Sequence, residues 1–308
     1  MTAPRRTDLV LLVVAAVWGS SYLTAKAVTS AAPVLVVLLL RYSLSAAGCR
    51  ALVAARPGSG AATREEGRVG ALLGVTQASV LALETYGVSH TSAANAGLII
   101  SLTIVLTPIM DAAGRAQRLP ATFFLAAIVC VLGVGLLVSA TGLRVPSNGD
   151  LLMVGAAIVR AAHVALVGRL TVSRSVRPLQ VTAVQTVVGT VMFAVAAAWQ
   201  LPTIMHLAVS TWGLLIYLAL GCSLFAFLAQ TWAVQRTSAS RASLLLGTEP
   251  VWAVAAGIVL GGERLTVIAS IGAVLVVAGA SWGQSVERTH RATAKEIPGR
   301  LITTPPTA

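Results

Sequence analysis

The chain has 308 residues, 56% of them hydrophobic and 10% charged, with a mean hydropathy of +0.86, whereas an ordinary soluble domain is about one quarter charged. That excludes water as the main solvent. The net charge of +12 does not point to nucleic acid, because no basic domain with interleaved aromatics carries it, and Cys49, Cys130 and Cys222 have neither disulfide-framework nor metal-ligand spacing.

The opening MTAPRRTDLVLLVVAAVWGSS has the basic end, apolar run and small residues of a signal peptide, with a twin arginine at Arg5 and Arg6. Because further apolar runs follow to the end of the chain, it reads as an uncleaved first transmembrane helix. Ten spans are predicted, each long enough for an α-helix to cross a hydrocarbon core about 30 Å thick. In order they are Leu9 to Ala27, Pro33 to Val53, Val69 to Val88, Ser92 to Met110, Thr122 to Val138, Leu151 to Leu170, Val181 to Trp199, Trp212 to Trp232, Ala239 to Leu260 and Val267 to Trp282. The stretches between them carry turn chemistry, as in GRAQRLP, TGLRVPSNGD, SRSVRP and GGERL.

Lys and Arg are retained on the cytoplasmic side of short loops. With the N-terminus inside, 17 of the 22 Lys and Arg residues fall in inner segments and three (Lys26, Arg144, Arg264) in outer ones, while Arg41 and Arg160 lie within spans. So lopsided a division predicts a multi-pass protein of the plasma (inner) membrane with both termini cytoplasmic. Residues 285–308 are polar with no apolar face and read as a disordered cytoplasmic tail.

Shifted by 146 residues, TYGVSHTSAANAGL (85–98) aligns without a gap on TWAVQRTSASRASL (231–244), AQRL (116–119) falls on GERL (262–265), and Gly133 falls on Gly279. Residues 1–145 and 146–284 are therefore expected to be two copies of one five-helix unit. An odd number of spans per copy inverts the second in the membrane. The predicted fold class is an all-α membrane protein of ten transmembrane helices in two inverted five-helix repeats.

WGSSYLTAKAV, then Pro33 and LLLRYSLSA around Arg41, resembles the first two helices of an EamA-type unit. RTSASRASLLLGTEPVWAVAAGIVLGGERLTVIASIGAVLVVAG resembles the close of the second unit. In this order, with ten spans, the chain is similar to the drug/metabolite transporter superfamily, EamA type. The resemblance implies a solute carrier, often an exporter of amino acids, related metabolites or amphipathic drugs, working by alternating access. It does not choose a ligand. One departure bears on symmetry: Glu249 and Pro250 align with Thr103 and Ile104, and the proline of the first copy, Pro108, comes one turn later, so the two helices are expected to break unequally.

An ionisable side chain at the bilayer centre costs about 2.5 to 3.5 kcal/mol on insertion scales, so each needs a partner, a wet cavity or a function. Glu249 lies near mid-span; it reads either as a coupling site, since a carboxylate in low dielectric can trade a proton for a cation, or as a brace paired with Arg160. Arg160 and His163, three residues apart, share one helix face and line a cavity or serve as satisfied core residues. Arg41 reads as a structural charge, and Glu84 and Lys26, near outer span ends, as side chains that snorkel to the interface. The aromatics Trp18, Tyr22, Trp232 and Trp252 are further candidates for a solute pocket, although Trp232 better suits a membrane interface; the deeper Trp18 and Trp252 are kept as pocket residues together with Asn95. Pro250 cannot donate to the carbonyl of Leu246 and its ring clashes there, which predicts a helix break around Gly247. Broken backbone at that depth is tolerated only against protein or a cavity.

No Walker A sequence, HExxH or GxSxG occurs. The sequence therefore predicts a secondary transporter, not an enzyme, needing no cofactor or metal. Its partners are a small-molecule solute, protons as a coupling ion, and the lipid bilayer, with no nucleic acid. A membrane-embedded transferase or protease, or a receptor, are the alternatives.

Overall fold

A computed structural model describes residues 3–56, 60–91, 93–112, 119–139, 147–172, 174–261 and 266–300. The described residues are helical and contain no strand. In the first half, α1 (Ala3–Ala31), α2 (Val34–Ala54), α3 (Arg64–His90), α4 (Ala93–Ile100), α5 (Thr103–Ala112) and α6 (Ala121–Ser139) follow in order. The second half holds α7 (Asn148–Thr171), α8 (Pro178–Ala196), α9 (Val209–Ile216), α10 (Ala226–Arg236), α11 (Ala239–Leu246), α12 (Glu249–Gly261) and α13 (Val267–Arg300). A π-helical stretch, Tyr217–Phe225, joins α9 to α10.

Among the described residues six helical segments are long and apolar enough to cross a membrane: Arg6–Ala31, Val34–Ala54, Arg64–His90, Asn148–Thr171, Pro178–Ala196 and Val209–Arg236. Thr103–Ala112 and Ala121–Leu136 are apolar but shorter. The outward surface is that of a lipid-facing protein: Leu132, Leu151, Val195, Val259 and Val274 are all more than 60% exposed, an arrangement that a water-soluble surface avoids. Polar side chains such as Gln77, Arg160, His163 and Glu249 are instead buried.

Element boundaries repeat at the sequence offset. α4 and α11 start at Ala93 and Ala239, α5 and α12 at Thr103 and Glu249, and α6 and α13 at Ala121 and Val267, each pair 146 residues apart. The two breaks thus share one register, which corrects the expectation of unequal ones. Pro108 stays inside α5 without interrupting it. At the first break Leu102 N–H bonds to Ile99 C=O and Ile104 N–H to Ser101 C=O; at the second Thr248 N–H bonds to Leu245 C=O and Val251 N–H to Thr248 C=O. These tightened i→i+3 bonds satisfy groups that an α-ladder has released.

Glycine permits two close approaches. A Cβ on Gly247 would lie 2.2 Å from Ile104 Cγ1, so the two breaks abut; a Cβ on Gly19 would lie 2.6 Å from the Glu249 carbonyl oxygen. Gly133 and Gly279, the glycines aligned by the repeat, face each other's helices: a Cβ on Gly133 would meet the backbone of α13 at Gly272 and Val276, one on Gly279 that of α6 at Ala126.

α13 continues past Ser285 to Arg300, and Glu287, 2% exposed, accepts a hydrogen bond from Ser238 Oγ at 2.8 Å. The turn stretches GRAQRLP, TGLRVPSNGD and GGERL lie mostly outside the described residues.

Candidate functional site

GTEP builds the centre of the site locally. Gly247 and Thr248 form the turn between α11 and α12, and Glu249 and Pro250 open α12. A proline is tolerated in a first helical turn, where its missing N–H is not required, and a carboxylate there meets the positive end of the helix dipole. Thr248 Oγ1 donates to Leu245 C=O at 2.7 Å, a second donor at the carbonyl that Thr248 N–H already meets.

Two helices supply the donors to that carboxylate, and a third extends the network. Glu249 Oε1 accepts from the Tyr22 hydroxyl of α1 at 2.6 Å, and Glu249 Oε2 from Arg160 Nη2 of α7 at 2.7 Å. Arg160 Nη1 then donates to Glu84 Oε1 of α3 at 3.0 Å. The Arg160 guanidinium also lies over the Trp18 ring, 4.4 Å from its centroid. Trp18 and Tyr22, four residues apart, share one face of α1. Tyr22, Trp18 and Glu84 belong to the first half, Arg160 and Glu249 to the second, so the network ties the halves together.

Beside it Arg41 Nε donates to Ser223 Oγ at 2.6 Å, while Trp18 Nε1 donates to the Cys222 carbonyl at 2.9 Å. Arg41 Nη2 reaches the same carbonyl at 3.4 Å. That carbonyl is open to side chains because it lies in the π-helical stretch, where the regular ladder is interrupted. His163 Nδ1 pairs with Thr76 Oγ1 at 2.8 Å.

Trp18, Tyr22, Arg41, Glu84, Arg160, His163 and Glu249 border a cavity of about 30 Å³, enough for one or two waters. Its charged lining is two guanidinium groups, Arg41 and Arg160, and two carboxylates, Glu84 and Glu249. Their formal charges cancel. Buried charges persist when paired or hydrogen-bonded: Arg160 pairs with both carboxylates, and Arg41 is held by the neutral oxygens of Ser223 and Cys222. Among the described residues no group of three or more His, Cys, Asp or Glu is placed to hold a metal ion.

Of the residues singled out from sequence, Glu249, Arg160, His163, Trp18 and Arg41 come together here. Trp252 does not: it is 39% exposed, one turn along α12 beside Gly19. Asn95 belongs to α4, and its side chain lies outside the described residues. Glu84 does not snorkel outward; Arg160 holds it inside. Tyr22, an aromatic candidate from the sequence, joins the cluster; Ser223, Gln77 and Gln230 were not singled out, although the repeat register contains the signal. Gln77, Leu81 and Glu84 of α3 are each 146 residues before Ser223, Phe227 and Gln230, and of these six all but Ser223 line the cavity.

Membrane-length helices in two matching half-chains, joined by a neutralised cluster of buried charges, are the architecture of a membrane transporter. The chain belongs to the EamA-like transporter family, which matches residues 5–139 and again residues 147–282; this family is part of the drug/metabolite transporter superfamily and is not a family of enzymes. Among curated proteins none matches the chain. A protein of known crystal structure, 19% identical, superposes with a TM-score of 0.74 over 92% of this chain and 98% of its own. The fold is shared with that protein.

Proposed function

We propose that this protein is a secondary transporter of the plasma (inner) membrane, with ten spans in two inverted five-helix units and both termini cytoplasmic. It exports small metabolites such as amino acids or amphipathic drugs by alternating access. The observation that carries this reading is the network Tyr22–Glu249–Arg160–Glu84, which spans the halves and borders the cavity between them. A zwitterionic solute brings the same two charges: its ammonium replaces Arg160 at Glu249 and Glu84, its carboxylate replaces Glu249 at Arg160, and its side chain meets Trp18. Binding then exchanges one set of ion pairs for another, so neither desolvated charge is left alone. The ordered breaks after Ile100 and Leu246 let the half-helices tilt about points where the α-ladder is already open.

Protons are the proposed coupling ion, taken up by Glu249 when Arg160 swings away. The test is counterflow in proteoliposomes against a panel of amino acids and cationic amphiphiles. Uptake that requires internal solute, and whose pH dependence is lost in Glu249→Gln, supports the reading. Absence of counterflow with every member of the panel refutes transport, and an unchanged pH profile in Glu249→Gln assigns that residue to bracing alone.

A further inference from the structure

A second cavity, of about 560 Å³, shares no lining residue with the first. Four arginines from four separate stretches border it: Arg6 on α1, Arg56 after α2, Arg177 before α8 and Arg236 at the end of α10. Among its described lining residues none is acidic. We propose that this cavity holds the phosphate headgroup of an anionic phospholipid, with an acyl chain leaving past Phe225.

Two of the guanidinium groups are fixed before any ligand arrives. Glu66 accepts from Arg177 Nε and Nη2, each at 2.8 Å, and the Ala61 carbonyl accepts from the same Nη2 at 2.9 Å. Arg236 lies over the Trp232 ring at 4.5 Å and donates from Nη1 to the Trp232 carbonyl at 3.2 Å. Arg177 Nη1 also reaches the Gly60 carbonyl at 3.5 Å, so Arg177, ion-paired with Glu66, shapes the wall. Arg236, whose bond to protein uses Nη1, is the held guanidinium that suits the geometry of phosphate oxygens. The remainder of the wall is apolar, including Val10, Leu179 and Leu228. At its rim Phe225 is 40% exposed, on the same face that carries the exposed Ile216 and Leu220.

Those apolar walls decide between a lipid and a soluble anion, since inorganic phosphate gains nothing from them. Depth agrees. The arginines stand at the ends of apolar helices, at headgroup level, where basic pockets between transmembrane helices bind anionic headgroups. The volume falls within the range of about 300 to 1,000 Å³ usual for ligand sites. This inference is independent of the transport reading and does not require the central cavity to bind solute.

The full chain, purified in a neutral maltoside, is titrated with phosphatidylglycerol, phosphatidylcholine or inorganic phosphate and followed by native mass spectrometry and thermal shift. Phosphatidylglycerol is expected to bind and stabilise, and the other two are not. Each arginine contributes about a fivefold change in affinity, so Arg6→Gln with Arg236→Gln weakens phosphatidylglycerol about 30-fold. Arg64→Gln with Arg68→Gln, exposed on α3 at the same end of the molecule, leaves it unchanged. Arg236→Lys, which keeps the charge but loses the fork, falls between. Equal affinity in the double variant and the control, or equal binding of phosphatidylcholine, overturns the proposal. Phosphate that displaces phosphatidylglycerol and stabilises as well overturns the lipid assignment in favour of a soluble anion. If the double variant does not fold, the three ligands on the wild-type chain and on Arg236→Lys still decide.

Discussion

Replacing Glu249 by Gln keeps its shape and removes its charge. The carboxylate accepts two hydrogen bonds, from Tyr22 at 2.6 Å and Arg160 at 2.7 Å, in a site where the residue is 3% exposed. A hydrogen bond to a charged group contributes about 1.5 to 3 kcal/mol and one between neutral groups about 0.5 to 1.5 kcal/mol. In Glu249→Gln the carboxamide oxygen still accepts from the charged Arg160 while its NH2 replaces an acceptor at Tyr22, so one bond changes from the first kind to the second and the ion pair is lost, a cost of about 1 to 3 kcal/mol. Glu249→Ala leaves Arg160 with Glu84 as its sole anionic partner in the network and is expected to cost more, about 3 to 5 kcal/mol. Arg160→Gln strands both carboxylates and belongs with the larger loss. Unfolding in mixed detergent–dodecyl sulfate micelles, followed through tryptophan fluorescence, measures these differences. In a double-mutant cycle of Glu249→Gln and Arg160→Gln the coupling is expected to be about 1.5 to 3 kcal/mol. A value under about 0.5 kcal/mol, the range for independent sites, would refute the claim that this pair locks the halves together.

Three further perturbations read other parts of the arrangement. Gly247→Ala should destabilise by about 1 to 3 kcal/mol through overpacking against Ile104, and combining it with Ile104→Ala should cost less than the sum of the two; strict additivity would mean that the breaks do not abut. Gly19→Ala forces α1 away from backbone at Glu249 and should lower stability by a similar amount while reducing counterflow activity; wild-type rates in that variant would remove the close approach from the mechanism. Trp18→Phe keeps a ring under Arg160 and loses the bond to Cys222, a cost of about 0.5 to 1.5 kcal/mol, whereas Trp18→Leu loses the cation–π contact as well, about 2 kcal/mol more when desolvated; equal losses in the same unfolding assay would contradict the stacking geometry.

Much of the fold is legible because solvent and length act on whole segments. A run of some 20 apolar residues reads as a helix whatever its neighbours do, and the repeat sets which helices correspond. Pair geometry is less accessible. Glu84 looked peripheral because depth was judged from the end of its span, while its partner Arg160 lies 76 residues away. Trp252 looked central because it shares a helix with Glu249, yet Glu249 is the first residue of α12 and Trp252 lies a turn further on, beside Gly19. The proline of the first unit suggested a break at the wrong place, since Pro108 tells only where a bond is missing; the turn at Ser101 and Leu102 follows the packing of Ile104 against Gly247.

The π-helical turn has a bearing on how such a site can be probed. The acceptor that orients Trp18 and steadies Arg41 is the main-chain oxygen of Cys222, an atom that every amino acid possesses. Alanine scanning through Tyr217–Phe225 would leave it untouched and return an innocuous result at the position that holds two aromatic and cationic side chains in place. Only a change in backbone register, such as deletion of one residue from that turn, would move it.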